Sequence, residues 1–371
     1  MSNEHRKANP YQRLPSFTRW SRAISTVPFA EVDPVADFPF KIAPNDLVAT
    51  AGSCFAQHIA RHLRNSGYRY FVKEPGNAIM KYSNGLVDDY NYGTFSCRYG
   101  NIYTARQLLQ LIRRAVGTFE PIESVWDEGG GVHLDPFRPA IQPGGYISAE
   151  ELVAERRQHL QAVKSMFEEL DVFVFTLGLT EHWYCKADGA ALPVCPGVAG
   201  GVFDEDKYGF ANQTVDEVVA DFEAFLAILR TLNDRFRVIL TVSPVPLAAT
   251  ALPRHVLTST TYSKSVLRVA AEMIASRHDN IGYFPSYEVI TGGFNRGRYF
   301  GDSLRDVTEE GVQHVMRLFM KHVGSETSAV LDRSAEKAEE AREAEALRVL
   351  GEVVATVCEE ALLENAYADG N

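Results

Sequence analysis

Residues 45–63 read NDLVATAGSCFAQHIARHL, and the change of pattern inside them decides the fold. Leu47–Ala51 is a short apolar run of strand length, ended by Gly52. From Phe55 the apolar residues recur at helical spacing (Phe55, Ile59, Leu63), and Gly67 closes that pattern. A buried strand that turns through Gly-Ser-Cys straight into a helix is the first half of a β-α-β unit. The clearest strand downstream, DVFVFTLG at 171–178, is continuously apolar, as a parallel strand covered on both faces must be. FRVILTVSPVPL at 236–247 is a third strand, running into a proline-locked turn. Helical patterns lie between and after these strands at TARQLLQLIRRAVG, SAEELVAERRQHLQAVKSMFEEL, TVDEVVADFEAFLAILRTLN, SKSVLRVAAEMIASRH and TEEGVQHVMRLFMKH. IGYFPSYEVI reads as a short strand with a loop, and the Gly/Pro-rich stretches DEGGGVHLDPFRPAIQPGGY and ALPVCPGVAGGVFDEDKYGF read as loops. The expected fold is an α/β three-layer sandwich with a mainly parallel sheet, long loop insertions and a C-terminal helix.

The chain divides into a polar, proline-punctuated arm or cap over 1–44, an α/β domain over 45–325 and an acidic amphipathic helical tail over 326–371. The tail offers a face to the body or to a second copy, which is the route expected to a homo-oligomer. A net charge of −11 without a basic stripe argues against nucleic acid and against an anionic membrane surface. The apolar runs are too short for membrane insertion, and the polar start MSNEHRKANPYQRL lacks the apolar region of a signal peptide. Five cysteines without a CxxC pair or zinc spacing fit a reduced, cytoplasmic protein.

Three strand ends carry unusual residues: Gly52-Ser53-Cys54, Gly178-Leu179-Thr180-Glu181-His182 and Ser243-Pro244-Val245-Pro246. In open α/β sheets ligands bind beyond the carboxyl ends of the strands. Cys54 would head a helix whose N-terminus lowers a thiol pKa and presents free N–H groups to an oxyanion, with Ser53 as the N-cap. The bland alternative is a tight corner needing only small residues, with Cys54 a buried apolar side chain. His255, on the loop after the SPVP turn, His182 beside Glu181, and His58 one turn along from Cys54 are the neighbouring histidines. Ser263-Lys264 does not make an S-x-x-K motif, because Thr261 stands first; it reads as a helix start with Ser263 the cap and Lys264 in the first turn.

Gly52-Ser53-Cys54-Phe55-Ala56 resembles the signature of the GSCFA family, and the likeness continues through NYGTFSCRYGNIYTARQLLQL, FTLGLTEHW, TVSPVPL, YSKSVLR and YFPSYEVI. That family is similar to the SGNH/GDSL hydrolases, whose fold is a flavodoxin-like α/β/α sandwich and whose members add or remove acyl groups, notably on glycans. The resemblance implies an acyl esterase or acyltransferase working on an ester-linked acyl group of a saccharide or surface-polysaccharide substrate, with neither metal nor organic cofactor. It implies Cys54 as the nucleophile with Ser53 as the runner-up, and Gly93 and Thr180 as oxyanion donors. In place of the usual Asp-x-x-His this chain has Asp302-Ser303-Leu304-Arg305, so the histidine is absent and Arg305 stands there instead. His255 becomes the expected base, Arg305 an electrostatic partner, and Glu181 and His182 further site residues. The alternative from another class is a non-catalytic glycan- or protein-binding module that keeps the fold.

Overall fold

Alternation along the strands sorts the interior into two halves. The computed structural model describes residues 9–65, 67–76, 89–325 and 362–363. Four parallel strands form the central sheet: β1 (Val48–Gly52), β4 (Val172–Leu177), β8 (Arg237–Val242) and β9 (Ile281–Tyr283), in the order β1-β4-β8-β9. Beyond β1 the chain at Tyr70 makes a parallel bridge to Val48, and Phe71 N–H donates to the Val48 carbonyl at 2.8 Å. With that bridge counted as a second strand, the order is the doubly wound 2-1-3-4-5 pattern, which reverses between β1 and β4.

Residues Ala49, Ala51, Phe173, Phe175, Leu177, Val238, Leu240 and Val242 point to one face. There they meet α2 (Ala105–Ala115), α3 (Ala149–Glu169), α4 (Val215–Leu232) and α5 (Val256–Ala275). Val48, Val172, Val174 and Ile239 point to the other, against α1 (Phe55–Asn65), α6 (Ser286–Thr291) and α7 (Glu309–Val323). The strands are therefore apolar on both sides because each side is roofed by helices, giving the expected α/β/α sandwich. Helix starts follow their caps: Thr104 with Gln107 and Thr214 with Glu217 form capping boxes, and Ser148 and Thr308 accept from the third helical N–H.

Several stretches differ from the sequence reading. Within the polar arm or cap read over 1–44, Val32, Val35, Phe38 and Ile42 are buried as core residues, and Ile42 N–H donates to the Val323 carbonyl at 2.8 Å. YFPSYEVI contains α6, a short helix that periodicity could not separate from a strand plus loop. The glycine-rich loops contain order of their own: the first holds most of a hairpin of β2 (Trp126–Gly129) and β3 (Val132–Leu134), and the second supplies β6 (Ala191–Leu192) and the start of β7 (Tyr208–Asn212) to an antiparallel sheet with β5 (Glu181–Cys185). The C-terminal helical tail expected over 326–371 falls, save Leu362 and Leu363, outside the described residues. Among the described residues no helix is long and apolar enough to cross a membrane.

Candidate active site

Gly52 lies at φ +141°, and a Cβ there would stand 2.6 Å from the Thr176 carbonyl oxygen, so only glycine fits the end of β1. The chain then turns through Ser53 and Cys54 into α1, with Ala56 N–H donating to Ser53 at 2.9 Å and Gln57 N–H to Cys54 at 3.1 Å. Gly178, just past β4, closes the turn from the side: a Cβ on it would meet Ser53 Cβ at 2.9 Å. The N–H groups of Gly178 and Leu179 both donate to the Tyr103 carbonyl at 2.9 Å, locking β4's exit against the 99–103 segment. Ser53 is 3% exposed and its Oγ, buried, has no hydrogen-bond partner; Cys54 is 5% exposed. Behind them Thr176 and Thr241, paired in register across β4 and β8, also bury hydroxyls that no protein group satisfies.

Lys264 is the residue that sequence reasoning missed. It stands well inside α5, not in its first turn, because His255 and not Ser263 is that helix's N-cap. Ser263 Oγ instead accepts the Thr180 N–H at 3.1 Å, and Lys264, only 1% exposed, donates from Nζ to the Gly178 carbonyl at 2.7 Å. Burying a lysine head is costly unless it is held by a polar partner, so one directed at a strand end is a marked feature. The signal available in the sequence was SKSVLRVAAEMIA itself: Lys264 lies about one, two and three turns from Leu267, Ala271 and Ile274, on the buried face.

The other expected residues are placed as follows. Thr180 is fully buried and its hydroxyl donates to Asn212 Oδ1 at 2.6 Å. Gly93, at φ +74°, offers its carbonyl to Arg64. His255 is exposed, and its Nδ1 accepts the Leu257 N–H at 3.1 Å, a ring used to cap a helix. Glu181 accepts from the Thr250 hydroxyl at 2.7 Å, and burial pushes its carboxyl up. Burial, with Arg106 nearby, pushes His182 down to about 4, and its Nδ1 has no protein partner. His58, packed on Phe55, is likewise pushed down to about 4 by burial. Arg305 Nε donates to the Pro246 carbonyl at 3.2 Å, tying the loop that replaces Asp-x-x-His to the exit of β8, while Asp302 is exposed. The structure therefore gathers Ser53, Cys54, Gly178, Thr180 and Lys264 at the ends of β1 and β4, where the strand order reverses. His255 stands at the exposed head of α5, its Nδ1 engaged by the Leu257 N–H.

Among the described residues no group of three or more His, Cys, Asp or Glu side chains is placed to hold a metal ion. The sequence profile of the GSCFA family matches residues 47–319, which takes in all four strands and every residue of this cluster. No curated protein matches the sequence.

Proposed function

The chain belongs to the GSCFA family, and from that premise we propose that it is an SGNH-like acyl esterase or acyltransferase acting on acyl esters of a saccharide. The observation that carries the reading is the close approach of Gly178 to Ser53 with Lys264 Nζ on the Gly178 carbonyl. A hydroxyl is a weak nucleophile without a base, and a desolvated lysine is a side chain that serves as one when no imidazole is present. In this reading Lys264, as the amine, takes the Ser53 proton while Ser53 Oγ attacks the ester carbonyl. The new C–O bond forms, the tetrahedral oxyanion faces the N–H groups at the head of α1, and the C–O bond to the leaving alcohol breaks. The alcohol departs with the proton from Lys264. Water for an esterase, or an acceptor hydroxyl for a transferase, then cleaves the acyl-enzyme by the same relay. Arg305 supports the SPVP turn that borders the cleft.

Cys54 is the rival nucleophile, favoured by its place at the head of α1, where the positive helix end stabilises a thiolate. A second reading from another class, a non-catalytic glycan- or protein-binding module, is favoured by the burial of both Ser53 and Cys54. One experiment separates all three. Intact mass is measured after brief exposure to p-nitrophenyl acetate, for the native protein and for Ser53→Ala, Cys54→Ala, Lys264→Met and His255→Ala. The expected result is a single acetyl adduct lost in Ser53→Ala and slowed in Lys264→Met, with His255→Ala close to native. Loss in Cys54→Ala alone transfers the role to the thiol, and no adduct in any protein sinks the enzyme reading.

A further inference from the structure

Beyond Leu179, the residue after Gly178, lies a pocket of about 290 Å³ that the reaction above does not use. Its walls are mainly apolar: Leu179, Trp183, Val194, Val198, Phe210 and Leu247. Trp183 and Phe210 stand on the neighbouring strands β5 and β7 with ring centroids 5.4 Å apart, forming an aromatic wall. Leu179 and Leu247 pack with Tyr103, whose carbonyl holds the exit of β4, so the floor is one rigid cluster with the turn that carries Ser53. Leu363 also lines it.

The polar groups at the edge select against a charged occupant. Glu181 contributes a carboxylate side chain, with one oxygen held by Thr250. His182 is 8% exposed with an unsatisfied Nδ1, and burial disfavours its cationic form, so the ring itself brings no positive charge to the edge. An apolar pocket with a carboxylate at its rim fits an uncharged chain better than a free fatty acid.

The geometry points to this pocket as the acyl-chain subsite of the enzyme, taking a linear chain of medium length (roughly six to ten carbons, from the space of about ten water-sized groups) in an ester substrate. The inference rests on the acyl-transfer reading for its role, though the binding itself does not. The reacting carbonyl would sit at Ser53, and the chain would run past Leu179 between the aromatic wall and Leu247.

The test has two arms. In the first, 1-alkanols from butanol to decanol are titrated while Trp183 fluorescence is followed, with Trp183→Phe as the control that removes the signal. Each methylene that enters should tighten binding about fourfold up to roughly eight carbons, then no further. In the second, p-nitrophenyl esters of two to twelve carbons are compared by kcat/KM, with Ala249, which also lines the pocket, changed to Trp (Ala249→Trp) to fill it. The octanoyl ester should exceed the acetyl ester at least tenfold, and Ala249→Trp should reverse that preference. Alkanol affinity that is flat with chain length, or absent, overturns the inference even if short esters are turned over. Length-dependent alkanol binding without turnover of any ester supports the pocket and removes the acyl-transfer reading alone.

Discussion

Lys264 Nζ donates to the Gly178 carbonyl at 2.7 Å, joining the middle of α5 to the exit of β4 at the point where Gly178 meets Ser53. One reading makes this a structural tie; the other makes it the base. They differ in what Lys264→Ala would do in the presence of a small amine. Loss of a general base lowers acyl-enzyme formation by about 10²–10⁴-fold. Ethylamine added to Lys264→Ala should restore part of that rate, with a bell shifted to the pKa of the added amine. A tie would be mended by no diffusible amine, so a variant that melts lower and gains no rate would assign Lys264 to structure.

The close approach of β1, β4 and the 99–103 segment predicts the fate of two glycines. Gly52→Ala must adopt φ +141° and press into Thr176 from 2.6 Å, with backbone on the receiving side. Strain and overpacking together should cost about 2–5 kcal/mol, read as a lowered denaturant midpoint. Gly178→Ala meets Ser53 Cβ at 2.9 Å and the Tyr103 carbonyl at 3.1 Å, without a positive φ to forbid it. It should be the milder change in stability and the more harmful to acylation, since the Ser53 side chain must give way. Equal stability losses with native acylation in Gly178→Ala would contradict this account.

How much of this was legible in the sequence follows from the range of the forces involved. The strands and most helices were readable because their signals are local: continuous apolar runs, Thr and Ser caps, and glycine stops. The Gly52 turn was readable for the same reason. Lys264 was not, because its meaning depends on α5 crossing the exit of a strand 86 residues away in the chain. The cap that His255 makes was not legible either, because a histidine capping a helix through Nδ1, as serine does, looks in sequence like any other loop histidine. The 127–146 stretch looked like a loop by its glycines and prolines. Its order comes from a buried ion network that no local pattern announces.

That network centres on Asp135, which is 1% exposed and bonded to Arg138 at 2.9 Å and Arg156 at 3.0 Å. Glu155 on α3 shares Arg138 at 2.6 Å and takes Arg98 at 2.8 Å, so the insertion is fastened to α3 by charge. The arginines hold the Asp135 carboxyl far below the usual carboxylate range. Removing one member leaves the others buried and unpaired, so Asp135→Ala should cost about 3–5 kcal/mol. Chemical denaturation would read that loss directly; a change below about 1 kcal/mol would mean that the network relaxes to water.

The final prediction concerns pH. His182 and His58 are both held at about 4 in the folded chain by burial, against about 6.5 when unfolded. Between those values the unfolded chain binds protons that the folded chain does not, so stability rises with pH there. The neutral rings thus cost nothing above pH 6.5, and each withdraws up to about 3 kcal/mol as pH falls from 6.5 towards 4. The depressed carboxylates act in the same direction at lower pH: Asp33, Glu74, Glu155 and Asp135 lose their stabilising contribution as they are protonated. Thermal midpoints should therefore be level above pH 7 and drop steeply between pH 6.5 and 4. A His182→Asn and His58→Asn double variant should flatten the upper part of that drop while leaving the carboxylate part below pH 4.5. An unchanged slope in the double variant would show that neither ring is held neutral, and would assign the acid sensitivity to the carboxylates and to His159 and His314, whose burial also pushes them down.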